Sequence, residues 1–129
     1  MFRNIKNADG AVAPFEYLPC SAITPKNGMA MTLSGGKLAI ASGTTKPSYI
    51  CVAERDAAVA AGEIIPVTRV DDQTIFKTQL SATGTALNLG DKVTIASDGL
   101  RVTATTTSGV AEIVGMDGTA VGDDVYVRF

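Results

Sequence analysis

Two stretches of alternating apolar and polar residues fold back on themselves across glycine-containing dipeptides. Gly35-Gly36 separates residues 29–34 from 37–41, and Asp98-Gly99 separates residues 92–97 from 100–105. Both dipeptides suit two-residue hairpin loops, whose central positions need φ > 0. With Gly35-Gly36 as the loop, Leu33 faces Leu38 and Met31 faces Ile40, while Thr32 and Ala39 point the opposite way. With Asp98-Gly99 as the loop, Ile95 faces Val102 and Val93 faces Ala104, and Thr94 and Thr103 share the other side. A one-residue slip would mix the faces in either hairpin. Further strands are predicted over residues 49–53, 64–70, 74–80, 111–116 and 124–129. The last puts Val125, Val127 and Phe129 on one face and Asp124, Tyr126 and Arg128 on the other. Pro66 has no N–H to give to a ladder, so its strand is expected on a sheet edge. The alanines of residues 55–61 predict a turn or two of helix before Gly62.

The first 27 residues read differently. Phe2, Ile5, Val12, Phe15, Tyr17, Leu18 and Ile23 follow no period of 2 or 3.6, and Pro14, Pro19 and Pro25 interrupt any ladder or helix. The segment is too apolar for a disordered tail. It is expected to be an extended N-terminal arm, with residues 28–129 as a single β domain. The competing reading makes residues 12–24 the first strand of the β body itself. On the arm reading, loss of residues 1–11 leaves folding intact.

The hairpins belong to a longer echo. Gly28 and Thr32 match Gly90 and Thr94 at an offset of 62; Gly36 and Ile50 match Gly99 and Ile113 at 63; Gly62 and Val67 match Gly122 and Val127 at 60. This predicts an all-β fold, a small barrel or sandwich built from two similar β units, 28–70 and 90–129, connected by residues 71–89.

Composition narrows the chemistry. Eleven basic residues stand against 13 acidic ones with no block of like charge, which offers no footprint for nucleic acid or an anionic membrane. The start has no apolar h-region and no stretch approaches a membrane span, so the expectation is a soluble chain made in a cytosol. Cys20 and Cys51 are expected as buried small hydrophobes in a reducing compartment. With no His, the Ser-His-Asp and Cys-His nucleophilic arrangements are excluded, and a zinc site would need carboxylates. The acidic pairs Glu54 with Asp56, Asp71 with Asp72, and Asp123 with Asp124 read as solvated turn residues. Gly35-Gly36-Lys37 is not a phosphate loop, because Met31 and Leu38 stand where Gly and Ser or Thr are required. No cofactor or metal is expected, and no enzymatic activity.

The stretch from Gly28 to Gly62-Glu63-Ile64-Ile65-Pro66-Val67, with its second pass Gly90-Asp91-Lys92-Val93-Thr94-Ile95 to Gly122-Asp123-Asp124-Val125-Tyr126-Val127, resembles small phage head decoration and head-fibre-type proteins. The resemblance covers residues 28–129. It implies a structural virion protein, assembled in the host cytoplasm, that sits on the outer surface of a tailed-phage capsid and stabilises the expanded shell, commonly as a trimer. The partner it implies is the major capsid protein, with neither nucleic acid nor membrane involved. On that reading Phe2, Ile5, Phe15, Tyr17 and Leu18 are apolar anchors, and Arg3 and Lys6 meet acidic capsid surface. Two other classes remain open: another virion part such as an adaptor, fibre-base or tail module, and a small-ligand or carbohydrate-binding β barrel. The second wants aromatics around a cavity, and this chain has three Tyr, four Phe and no Trp.

Overall fold

The structure is a computed structural model and describes residues 1–7 and 13–129. Among the described residues there are ten strands: β1 (Arg3–Lys6), β2 (Phe15–Pro19), β3 (Ala30–Ser34), β4 (Lys37–Ile40), β5 (Tyr49–Cys51), β6 (Ile64–Arg69), β7 (Ile75–Gln79), β8 (Lys92–Val93), β9 (Ala111–Met116) and β10 (Asp124–Arg128). They form two five-stranded antiparallel sheets, ordered β1-β7-β10-β9-β8 and β2-β6-β5-β3-β4, and no helix occurs among the described residues. Single bridges curl each sheet, Cys20 to Leu38 in one and Leu80 to Val102 in the other. Neither sheet closes, so the architecture is a sandwich and not a barrel.

Hairpin register follows the hydrophobic pattern in the first hairpin and only in part in the second, where Val93 pairs with Ala111 of β9 and not with Ala104. Met31 pairs with Ile40 and Leu33 with Leu38. Ile95 pairs with Val102, and the hydroxyls of Thr94 and Thr103 meet at 2.7 Å. The second loop is wider than two residues: Gly99 N–H closes a turn onto Ala96 C=O at 2.9 Å, and Ala96 N–H reaches Arg101 C=O at 2.9 Å.

Hydrogen bonds repeat between the two sheets. Cys20 N–H donates to Glu63 C=O and Leu80 N–H to Asp123 C=O; Gly62 N–H donates to Cys20 C=O and Gly122 N–H to Leu80 C=O. Ser21 N–H reaches Leu38 C=O as Ser81 N–H reaches Val102 C=O, and Gly28 N–H reaches Cys51 C=O as Gly90 N–H reaches Ile113 C=O. The molecule is therefore two copies of one rolled sheet motif, here called the first unit (residues 15–69) and the second unit (residues 75–128). Each begins one strand earlier than the echo at 28–70 and 90–129 indicates. β7, in the predicted connection 71–89, is the counterpart of β2, in the predicted arm. The structural counterpart of Ile113 is Cys51, not Ile50, because backbone register and not residue identity defines equivalence.

Equivalent positions build equivalent cores. Cys20, Met31, Leu38, Cys51, Ile65 and Val67 pack together in the first unit, and their counterparts Leu80, Val93, Val102, Ile113, Val125 and Val127 pack together in the second. The second core also takes in Ala30, Ala41 and Ile50 from the opposite face of the first sheet. Ala30 N–H to Gly99 C=O at 2.7 Å and the reciprocal bonds of Gly43 with Ile95 at 2.7 and 3.0 Å tie the units together.

Three expectations are revised. Residues 1–27 do not stand apart from the body: β1 forms an edge of one sheet against β7 and β2 an edge of the other against β6. Phe2 is 2% exposed, donates its N–H to Gly28 C=O at 2.8 Å and lies edge-on to Phe129 with ring centroids 5.4 Å apart. It is a core residue because its ring completes the Phe76–Phe129 cluster. Val12 and residues 8–11 of the predicted arm lie outside the described residues.

Pro66 is on an interior strand, between β2 and β5. Val52 donates to its carbonyl at 3.2 Å, just past the end of β5, so the missing donor falls where that neighbour has already left the ladder. Residues 55–61 form no helix. Val59 is buried, and the N–H groups of Arg55 and Val59 go to the carbonyls of Pro25 and Ile23. Tertiary pairing thus overrides a weak alanine preference.

Candidate docking face on the first unit

Side chains alternate across a strand, so the register fixes which residues share a face. In the first unit one face carries Phe15, Tyr17 and Pro19 of β2, Ile64, Pro66 and Thr68 of β6, and Ile50 of β5. The counterpart face of the second unit carries Ile75, Lys77 and Gln79 of β7, Asp124, Tyr126 and Arg128 of β10, and Glu112 of β9.

The second unit's face is written in charge. Lys77 Nζ sits 3.0 Å from Asp124 Oδ2, Gln79 donates to the other Asp124 oxygen at 2.9 Å, and Arg128 holds Glu112 with two bonds of 3.2 Å. Hydrogen bonds from Gln79 and Lys77 hold the Asp124 carboxyl below the usual carboxylate range, and the Arg128 bond does the same for Glu112. An open depression of about 870 Å³ over this face is lined by Lys6, Lys92, Asp72, Glu112 and Arg128 among others.

The first unit's face is apolar. Part of it, Ala30 and Ile50, is covered by the second unit. The rest is not: Phe15 is 55%, Tyr17 65% and Ile64 54% exposed. A groove of about 650 Å³ runs between this overhang and β1, lined by Arg3, Ile5, Lys6, Phe15, Ile50 and Phe76 among others. The structure therefore brings Arg3, Ile5, Lys6 and Phe15 together on one groove, with Tyr17 on the same sheet face. Leu18 points the other way, onto the first unit's core, and Phe2 is sealed in the second core. Ile64 was not singled out from the sequence, although it opens a strand with two adjacent isoleucines, one of which must face outward.

No protein-family model matches the chain, and no curated protein matches it. The face must be judged on its own chemistry. The carboxylates bind side chains and backbone locally: Asp71 caps the N–H groups of Gln73 and Thr74 at 2.9 and 2.8 Å, and Glu54 pairs with Lys26 at 3.1 Å. Among the described residues no group of three or more His, Cys, Asp or Glu is placed to hold a metal ion. Cys20 and Cys51 are fully buried; burial pushes the Cys51 thiol up to about 11, which leaves it protonated and unreactive at neutral pH. The arrangement provides a bare apolar sheet face flanked by cations, a surface suited to covering by another macromolecule.

Proposed function

We propose that this chain is a non-enzymatic structural protein of a tailed-phage virion that binds the outer surface of the capsid and stabilises the expanded shell. The observation that carries the reading is that Tyr17 and Ile64 are exposed apolar residues at sheet positions where the second unit places the ion pair Lys77–Asp124, with exposed Phe15 beside them. The major capsid protein is the partner. Phe15, Tyr17 and Ile5 supply the apolar contact, and Arg3 and Lys6 meet acidic capsid surface. Ion-paired sheet surface and loops tied to the strands by backbone hydrogen bonds make a rigid body, so little conformational entropy is lost on docking. A trimer engaging three sites on the lattice gains avidity from modest single contacts. Binding the expanded lattice and not its precursor stabilises the expanded form by mass action.

The test is co-sedimentation of the purified chain with empty expanded heads and with unexpanded heads, alongside its mass by light scattering. The expected result is a trimer that pellets with expanded heads alone. Equal failure to pellet with either contradicts the reading, and a ring of higher order would assign the chain to an adaptor or fibre base instead.

A further inference from the structure

We infer that the bare edge of β2 seats an added strand from the partner, an extended segment that carries both apolar side chains and carboxylates. The inference rests on the first unit's face being a docking face, and not on the partner being a shell.

The molecule contains its own template. In the second unit the edge of β7 is occupied by β1, paired antiparallel with Arg3 opposite Lys77 and Lys6 opposite Ile75. β2 is the counterpart of β7 and likewise an edge strand; among the described residues its outer side meets β4 at the Cys20–Leu38 bridge just past Pro19, and nothing is paired to Phe15 or Tyr17 on that side. The register says which groups are on offer. Cys20 N–H points inward to Glu63, so by alternation residues 16 and 18 also face β6, while the backbone groups of Phe15 and Tyr17 face outward. Those are the counterparts of Ile75 and Lys77, the positions that β1 covers. Pro19 has no N–H and ends the available edge, which limits the added strand to about the four residues of β1.

The groove states the partner's chemistry. A strand added opposite Phe15 and Tyr17 places alternate side chains on the groove side, beside Phe15 and Ile5. The described residues lining the groove include Arg3 and Lys6 and no carboxylate. An acidic segment is therefore complementary, whereas the leading strand of a second copy, which carries Arg3 and Lys6 itself, is repelled.

The probes are two acetylated peptides, Met-Phe-Glu-Asn-Ile-Glu and its cationic parent Met-Phe-Arg-Asn-Ile-Lys, titrated into the full chain with amide shifts read by NMR. The expected result is that the acidic peptide moves the amides of Phe15 and Tyr17 and binds about fivefold or more tightly than its parent. Tyr17→Pro removes an outward N–H without touching the β6 ladder and should weaken binding roughly tenfold. Tyr17→Lys with Ile64→Asp, which installs the second unit's own residues, guards against a proline variant that fails to fold and should also weaken binding. Reversing the charges with Arg3→Glu and Lys6→Glu should reverse the preference between peptides. Shifts confined to another surface, unchanged affinity in both Tyr17 variants, or preference for the cationic parent overturns the inference. A chain that takes the acidic peptide but no shell upholds the edge and overturns the shell reading. A chain that pellets with shells equally well as Tyr17→Pro does the reverse.

Discussion

The two units share a backbone plan and differ in what they show on the same sheet face. The second unit carries Lys77, Asp124, Glu112 and Arg128 there, bonded to one another at 3.0–3.2 Å; the first carries Tyr17, Ile64, Ile50 and Thr68 at the matching places. Since the fold tolerates charge at these positions, folding does not require the first unit's apolar residues. Ile50 is accounted for by the second unit packing on it. Among the described residues nothing packs over Tyr17 and Ile64, and Phe15, whose counterpart is the apolar Ile75, is exposed beside them. The repeat thus acts as an internal control that separates residues serving stability from residues serving a partner.

The sharpest break in the comparison is at aromatic positions of the leading segment. Phe2→Ala removes a ring from the Phe76–Phe129 cluster and is expected to cost about 3–5 kcal/mol in denaturant melts. Phe15→Ala, on the exposed face, is expected to stay within about 0.5 kcal/mol. Loss of residues 1–6 should behave like Phe2→Ala, contrary to an arm that folding can spare.

Next in size are two matched glycines. Gly28 (φ 79°) and Gly90 (φ 93°) both lie in the left-handed region, so Gly90→Ala should cost about 1–2 kcal/mol. A Cβ on Gly28 would also meet Met1 Cβ at 2.5 Å and the Phe2 backbone at 3.0 Å, whereas Gly90 opens on empty space. Gly28→Ala should therefore exceed Gly90→Ala by about 1–3 kcal/mol, checked by paired melts.

The matched pair Cys51 and Ile113 offers a kinetic check. With its thiol raised to about 11 by burial, Cys51 should react with a thiol reagent at neutral pH only as fast as the first unit opens, and denaturant should release both thiols together.

The smallest effect is acid sensitivity. Asp124 and Glu112 titrate below their unfolded values because of Gln79, Lys77 and Arg128. Their contribution is therefore present above the ordinary carboxylate range near pH 4 and is lost as pH falls through the lowered native values. Asp124→Asn should flatten the fall in melting temperature in that window. An unchanged slope would show that the charged face adds nothing.

Local pattern revealed the first hairpin because Gly35-Gly36 fixes both turn and register within a dozen residues; around Asp98-Gly99 it gave the Ile95–Val102 pairing but neither the loop nor the strands, since the wider turn leaves a single bridge there. It also revealed the duplication, though not its frame. The sequence left β2 undecided between arm and first strand of the body, and the structure takes the second reading; apolar residues fall on both of its faces, Phe15 and Tyr17 outward and Leu18 inward, which erases the period of two, and prolines stand on either side. Phe2 was misread because its ring partners, Phe76 and Phe129, are distant in sequence, and nothing local separates an anchor from a core residue. Ile50 drew the match to Ile113 by identity, while hydrogen bonding assigns that place to Cys51. Of the candidate surface, Arg3, Ile5, Lys6, Phe15 and Tyr17 were legible as a group of exposed residues; Ile64 became visible once β6 was placed beside β2.

The most direct measurement gives the first unit the second unit's face. A chain carrying Tyr17→Lys and Ile64→Asp is followed by thermal melting and by co-sedimentation with expanded heads. The account predicts an unchanged melting temperature and lost pelleting. A large fall in melting temperature, or pelleting that matches the parent chain, would contradict it.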